Sequence, residues 1–487
     1  MPEQQLPAWL SPPPEGRQTE RRRQPERRGS ATSPAAPPPA PAARKRSSRA
    51  KTGAAKAPTG TAQARTVAAQ ERRTGADRRG AQRRRAAKLP PGVAERRYLL
   101  AATILLLIYG LVMAYSASAA KAFFTYGSSW YFFERQLVYA VLGVVAMFVL
   151  ARVDYRWWRR LALPLAIVVG ILLVAVLIPG VGTQINGARR WILLGGQSLT
   201  PGEFAKMAAI MLVAGLAAER PREVLQAGGF ARLVLIGIVP AGALIMLEPD
   251  LGTTIVLALA VVAVLVAAGS RLRHLLTLCL AAALAVLALI AVEPYRMQRL
   301  TAFIDPWQNP RGAGMQTVQS LVSIASGRIF GVGLGNSIQK FGFLPEQTTD
   351  SITGIIGEEL GLLGLLALIG FYVFLAWAGY RIALSCRELF GKLLATGIVT
   401  AIVGQAFINI AAALGLLPLT GIPLPLVSLG GTSLVVVLMG IGIVANIATN
   451  RRSYIVVSVE RRGGAHRRRR DGGAHDARPR RRPRAQK

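Results

Sequence analysis

The sequence predicts an all-α polytopic integral membrane protein, with ten transmembrane helices and a long extracytoplasmic loop between spans seven and eight. Three observations carry that expectation. Hydrophobic residues make up 52% of the 487 and charged residues only 17%, too apolar a balance for a soluble chain of this size. Apolar runs of about 20 residues, the length that crosses a bilayer, recur through the middle of the chain. The net charge of +35 sits mainly at the two ends: residues 1–97 hold 23 Lys and Arg against 7 Asp and Glu, and residues 451–487 hold 14 against 3.

The first tail, with stretches such as SPAAPPPAPAARKRSSRA, lacks the large apolar residues that build a core and is expected to be disordered. Its charged region is too long for a signal peptide. Attraction of both tails to anionic lipids of the cytoplasmic leaflet is the favoured reading, and nucleic-acid binding the unfavoured one. The chain thus divides into a basic cytoplasmic tail (1–97), a ten-span membrane domain (98–450, with 292–350 as the large outer loop) and a second basic tail (451–487).

Apolar runs begin near Tyr98, Gln136, Leu161, Pro201, Phe230, Leu251, Leu275, Ser351, Leu393 and Leu426. The stretch from Phe230 to Ala268 is split at Glu248-Pro249-Asp250, because one helix of that length would overshoot the bilayer and Pro249 breaks it. With both tails inside, the inner loops carry Arg156, Arg159 and Arg160, then Arg220 and Arg222, then Arg271 and Arg273, then Arg381, Arg387 and Lys392. Every inner loop is basic, as the positive-inside tendency requires. The outer side then holds residues 181–200, the Glu-Pro-Asp turn, and a loop of nearly 60 residues expected to be ordered and to hug the membrane.

Chemistry is expected on that outer side. Arg189 and Arg190 stand there against the positive-inside tendency, and paired guanidinium groups suit a phosphate or diphosphate. Glu203 and Lys206, three apart on the opening turn of span four, share a face; they join the same anion site or simply pair with each other. Asp250 reads as a helix cap. Asp350 reads as either a cap of span eight or a base, with Glu346 four residues upstream in the same mouth. Glu358 and Glu359 lie about 12 Å further along that helix and should face the bundle interior as structural residues. Pro423, Pro425, Gly430 and Gly431 suggest a broken, re-entrant backbone before span ten. Of the three histidines, His274, His466 and His475, none falls on the outer side, and the two cysteines, Cys279 and Cys386, give neither a disulfide framework nor a metal spacing. A carboxylate base beside an anion site remains, which suits transfer from a phosphate-activated donor.

These segments resemble the SEDS family (shape, elongation, division and sporulation) of peptidoglycan polymerases. The resemblance runs in order through NGARRWI (186–192), PGEFAK (201–206), DPWQNPRGAGMQTVQS (305–320), GVGLGNSIQKFGFLPEQTTD (331–350), GEELG (357–361) and PLPLVSLGGTS (423–433). It is closer to the division branch, FtsW, than to the elongation branch, RodA. It implies an inverting glycosyltransferase at the outer face of the bacterial plasma membrane, polymerising lipid II and releasing undecaprenyl diphosphate. Asp350 falls on the family's essential aspartate, and Arg189 and Lys206 on its basic cavity positions. Arg190, Glu203, Glu346, Gln319, Ser320 and Ser428 complete the expected substrate-binding set. The sequence establishes no cofactor; a divalent cation, Mg or Mn, at the diphosphate is the one candidate. The implied partners are the growing glycan strand, a class B penicillin-binding protein transpeptidase and other divisome proteins at the septum. A lipid II flippase and a non-catalytic divisome scaffold are the competing readings.

Overall fold

The computed structural model describes residues 93–450, except Asn186, Gly195, Gly196 and Glu293. Residues 1–92 of the first basic tail and all of the second, with His466, His475 and the expectations attached to them, lie outside the described residues.

The first helix, α1 (Val93–Tyr126), starts five residues before the expected boundary and is followed by α2 (Tyr131–Leu150) and α3 (Arg156–Leu177). A small antiparallel sheet comes next: β1 (Gly182–Ile185), β2 (Ala188–Leu194) and β3 (Gln197–Leu199), in the order β1-β2-β3, with Gly182 opposite Ile192 and Ile192 opposite Leu199. This corrects the all-α expectation. The signal was the Asn186-Gly187 dipeptide, a favoured sequence for a two-residue hairpin connection.

The chain then forms α4 (Pro201–Glu219), α5 (Ala227–Gly237) running on as α6 (Val239–Leu247), α7 (Leu251–Ala267) and α8 (Leu272–Val292). Pro240, lacking an N–H, accounts for the break between α5 and α6. The long loop carries α9 (Pro294–Ile304) and α10 (Met315–Ser326), and is followed by α11 (Ile352–Ser385), α12 (Leu389–Ala413) and α13 (Gly431–Asn450). Among the described residues, eight helical segments are long and apolar enough to cross a membrane, with α5–α6 counted as one; α7 and Leu272–Ala285 of α8 are apolar but shorter. The protein is a multi-pass membrane protein.

Helices α4, α12 and α13 are mostly buried, whereas α2, α3 and α5–α6 turn most of their surface outward. The packing follows: α13 lies along α2, α11 between α1 and α12, and α4 between α3, α7 and α12. Val213, Leu257, Val261, Leu393, Leu394 and Leu438 are fully buried in the shared core.

Two breaks in the helical pattern build the site. Gly361 interrupts α11 at φ 65°, ψ −160°. The backbone groups around the break are bonded by residues 328–333 of the long loop: Val332 and Gly333 donate to the carbonyls of Glu358 and Glu359 (2.9 and 3.0 Å), and Leu362 and Leu363 donate to those of Arg328 and Ile329 (2.9 and 3.2 Å). A Cβ on Gly361 would come within 2.4 Å of Gly331 N, so a side chain there would expel the loop.

The second break is the non-helical stretch between α12 and α13. Span ten was expected to begin at Leu426, but α13 begins at Gly431. Pro423 and Pro425 remove two N–H donors, and Leu426 sits at φ 66°. Leu424, Leu426 and Val427 are nevertheless buried, so the backbone re-enters the bundle. Its polar groups are matched: the Tyr372 hydroxyl donates to Pro425 O, and Ser428 Oγ accepts from Leu424 N at 2.8 Å. Gly110 lets α1 approach, since a Cβ there would lie 2.2 Å from Leu426 O.

Candidate active site

A cavity of about 550 Å³ opens where α2, α4, α7, α11 and α13 all begin. A helix N-terminus carries unsatisfied N–H groups and a partial positive charge, so five of them around one cavity favour an anion. Arg135 of α2, Arg190 of β2 and Arg299 of α9 line the wall; so do Glu203, Asp250, Glu346 and Asp350.

Arg190 is held from behind. Its Nε donates to Glu248 O at 3.0 Å, another nitrogen donates to Pro249 O, and Nη1 lies 3.6 Å from Asp250 Oδ2. The turn between α6 and α7 is therefore a bracket for this guanidinium. Asp250 also caps α7, accepting from Thr253 N and Thr253 Oγ1 at 3.0 and 2.9 Å, as its reading as a cap expects. Burial and the neighbouring Asp250 push the Glu248 carboxyl up to about 8, against the opposing pull of Arg190.

Asp350 behaves differently. The residue before α11 is Ser351, and the Asp350 side chain does not cap the helix. Among the described residues its carboxylate takes no hydrogen bond. It faces Gly421, where a Cβ would come within 3.5 Å of Oδ2. Burial, then Glu346, then Asp250 push its carboxyl from 3.8 to about 7, while Arg190 and Arg299 pull the other way. A carboxylate near neutrality, unbonded and facing a cavity, is equipped to take a proton at physiological pH.

The structure moves several expected residues off this wall. Ala188, Arg190, Trp191 and Leu193 line the cavity but Arg189 does not; the β1–β2 pairing slips between Thr183 and Gln184, so Arg190 is the extra residue of a bulge, which re-aims side chains out of simple alternation. Lys206 is buried rather than at the aqueous mouth: its ammonium lies 2.9 Å from Glu203 and donates to Gln405 Oε1 at 2.6 Å. Glu203 touches both the cavity and this buried pair. Ser320 donates to Ala413 O at 3.1 Å beneath the wall, and Gln319 is not on the wall. One turn earlier on α10, Gln316 does line it and donates to Ser351 Oγ at 2.8 Å. Ser428 pins backbone, donating to Thr349 O at 2.5 Å. Pro423, Gly430 and Gly431 form part of the wall, while the Pro425 carbonyl is tied to Tyr372.

Glu358 and Glu359 face the interior, as expected. Glu358 accepts from Ser323 Oγ at 3.2 Å, Ile338 N at 3.0 Å and Ser337 Oγ. Glu359 accepts from Ser116 Oγ and lies 3.5 Å from the Lys340 ammonium. Together they pin the chain leading to Glu346 and Asp350. Sequence reasoning missed Arg135, Arg299 and Gln316; the two arginines carried the same signal as Arg189 and Arg190, basic residues in segments expected to lie on the outer side.

Residues 96–453 match the family of cell cycle proteins FtsW/RodA/SpoVE. The chain is 42% identical over 356 residues to stage V sporulation protein E of Bacillus subtilis, covering 73% of this chain and 97% of that protein. It is 40% identical over 351 residues to the probable peptidoglycan glycosyltransferase FtsW of Trichlorobacter lovleyi, covering 72% and 92%. Among solved structures it is similar to a chain of a peptidoglycan synthase complex that coordinates polymerization and crosslinking, with TM-score 0.62 and 30% identity over 73% of this chain and 98% of that one. It is also similar to the Rod shape determining protein RodA of Thermus thermophilus, with TM-score 0.53 and 27% identity over 73% and 97%.

Proposed function

The chain belongs to the FtsW/RodA/SpoVE family of cell cycle proteins, and from that premise we propose that it is a peptidoglycan glycosyltransferase acting in cell division. It polymerises lipid II into glycan strands at the outer face of the bacterial plasma membrane. The observation that carries the reading is Asp350: an unbonded carboxylate in a cavity lined by Arg190 and Arg299 and ringed by helix N-termini.

In the proposed step, Asp350 takes the proton from the 4-hydroxyl of the GlcNAc on one lipid II. That oxygen attacks the anomeric carbon of MurNAc on the growing chain. The bond from that carbon to the diphosphate oxygen breaks, the configuration inverts from α to β, and undecaprenyl diphosphate departs. Arg190, fixed by the 248–250 turn, is placed to hold the diphosphate, and a preorganised guanidinium stabilises its developing charge without rearranging. Arg299 and the helix N-termini add positive potential. Diphosphate is a good leaving group, so one carboxylate suffices. A divalent cation, if used, would enter with the diphosphate, because among the described residues no three Asp, Glu, His or Cys cluster as ligands.

The ten-span topology with both termini cytoplasmic, and the domain boundaries set by it, belong to the same proposal. Residues 352–359 are wholly buried, and the outward-facing surface of α11 runs from Leu362 to Leu384, about 34 Å of helix. That length matches the hydrocarbon core. The outer loop, bonded to α11 at Glu358–Leu363, then lies at the membrane surface, with Phe330, Ile338 and Phe341 exposed along it. A class B penicillin-binding protein at the septum is the proposed partner, supported by the similar complex that joins polymerization to crosslinking. Other divisome proteins, and anionic lipids at the basic tails, complete the proposed set.

The test is purified protein in lipid with labelled lipid II, wild type beside Asp350→Asn, read as glycan chain length. Wild type should make strands, and the folded variant should make them roughly 10²–10⁴-fold more slowly. Equal polymerisation by both would overturn the assignment of the base, and no polymer from wild type with its partner present would overturn the activity.

A further inference from the structure

Helix α12 presents two buried amides four residues apart, Gln405 and Asn409, 2% and 4% exposed, on the face toward the cavity floor. Neither lines the cavity, and neither stood out in the sequence. Each is engaged through both its oxygen and its nitrogen. Gln405 accepts from the Lys206 ammonium at 2.6 Å and donates to Pro423 O at 2.8 Å. Asn409 accepts from Thr353 Oγ1 at 2.9 Å and donates to Asp350 O and to Ile422 O, both at 2.8 Å.

We propose that Gln405 and Asn409 are positioning residues for the reaction: the pair fixes the 420–423 backbone against Asp350, and Lys206 with Glu203 anchors the far end. The inference rests on Asp350 as the base. Asn409 is the one side chain among the described residues that donates to both strands forming the wall around the carboxylate, residue 350 on one and residue 422 on the other. Gly421, against which the carboxylate rests, immediately precedes the two residues whose carbonyls the amides hold, Ile422 and Pro423. Two buried amides, each bonded through both oxygen and nitrogen, define one arrangement, because any other leaves polar atoms unpaired at low dielectric. The place of Lys206 in the site follows: its ammonium orients the Gln405 oxygen, which leaves the Gln405 nitrogen to face Pro423.

The experiment compares Asn409→Leu and Gln405→Met with wild type and Asp350→Asn, all as full-length protein in lipid. Leu and Met match the amides in size and remove their donors. For Asn409→Leu, kcat for lipid II polymerisation should fall about 10²-fold with KM changed less than about threefold, since a displacement of about 1 Å is enough for such a loss. The acidic limb of the pH–rate profile should also move down by about one pH unit, because a loosened wall admits water to Asp350 and relieves the burial that raises it. Gln405→Met should show the same two changes, smaller. Loss of activity with the acidic limb unmoved, an unchanged rate, or failure of both variants to fold would overturn the positioning role in favour of a purely structural one. Failure of the catalytic reading is told apart by Asp350→Asn: if that variant polymerises normally, the base is elsewhere; if it is inactive while Asn409→Leu is unaffected, this inference alone is wrong.

Discussion

Asp250 and Asp350 stand beside the first residues of two helices, α7 and α11, on the same cavity, and a sequence offers the same motive for both: a carboxylate accepts hydrogen bonds from a helix's first N–H groups. The structure separates them. Asp250 takes both bonds from Thr253 and leans on Arg190, so its oxygens are spent on holding a helix and a guanidinium. Asp350 takes none, while its backbone carbonyl, not its side chain, is tied down by Asn409. Of two acids on one wall, the fully bonded one supports structure and the unbonded one is left for chemistry.

The largest expected effect breaks this comparison if it is mistaken. Asp350→Asn should lower the polymerisation rate by roughly 10²–10⁴-fold, the usual contribution of a general base, in a folded protein. Asp250→Asn keeps a competent cap, since Asn and Asp are nearly equal there, and should cost less than about tenfold. Glycan chain length from labelled lipid II, measured for both, decides it; equal losses would erase the distinction.

The next effect concerns the arginines behind the two acids. Arg190→Ala should lower kcat/KM by about 10²-fold, and Arg190→Lys should restore little, because an ammonium does not reproduce the forked contacts. Arg189→Ala should stay within about threefold. A reversed order would mean that the strand presents its other face to substrate.

A third prediction uses pH. The base must be ionised, and the Asp350 carboxyl is pushed up to about 7, so the rate should rise with pH through about 7 and level off above it. A rate constant between pH 5 and 8 would remove Asp350 from the proton transfer.

The smallest effect is on stability. The Asp350 carboxyl is raised above its ordinary 3.8 on folding, so the folded state holds its proton more tightly than the unfolded state. Stability associated with this group is therefore present below about pH 4 and is lost as pH rises through about 7. Asp350→Asn should melt a few degrees higher than wild type at pH 8 and show no such gain at pH 4. Asp250→Asn, which loses its ion pair with Arg190, should melt no higher than wild type at pH 8.

Much of this molecule was legible in its residues. Runs of apolar side chains long enough for a bilayer set the order of the helices, because water excludes such segments whatever their neighbours. Pro249 marked the division of α6 from α7, and Pro423 and Pro425 marked a re-entrant backbone, because a missing N–H is a local fact. Asp350, Glu346, Glu358 and Glu359 stood out because charge beside an apolar span needs a reason. The hairpin at 182–199 was legible too, through its Asn-Gly pair, but the weight of apolar helix around it hid the signal.

What tertiary structure alone decided was which side of each element faces the cavity. The sequence places Arg189 and Arg190 side by side; a bulge in the β1–β2 pairing at Arg190 turned only the second toward the cavity. It places Lys206 near the outer end of a helix; packing buried that ammonium against Glu203 and Gln405 instead of leaving it at the mouth. Gln405 and Asn409 look, in sequence, like two polar interruptions of an apolar helix, and their role depends on carbonyls at 350, 422 and 423 that only folding brings near. Composition and periodicity report the solvent that each residue prefers, which is a property of the residue. Whether a charge is free or engaged depends on partners tens or hundreds of positions away, and no local pattern encodes them.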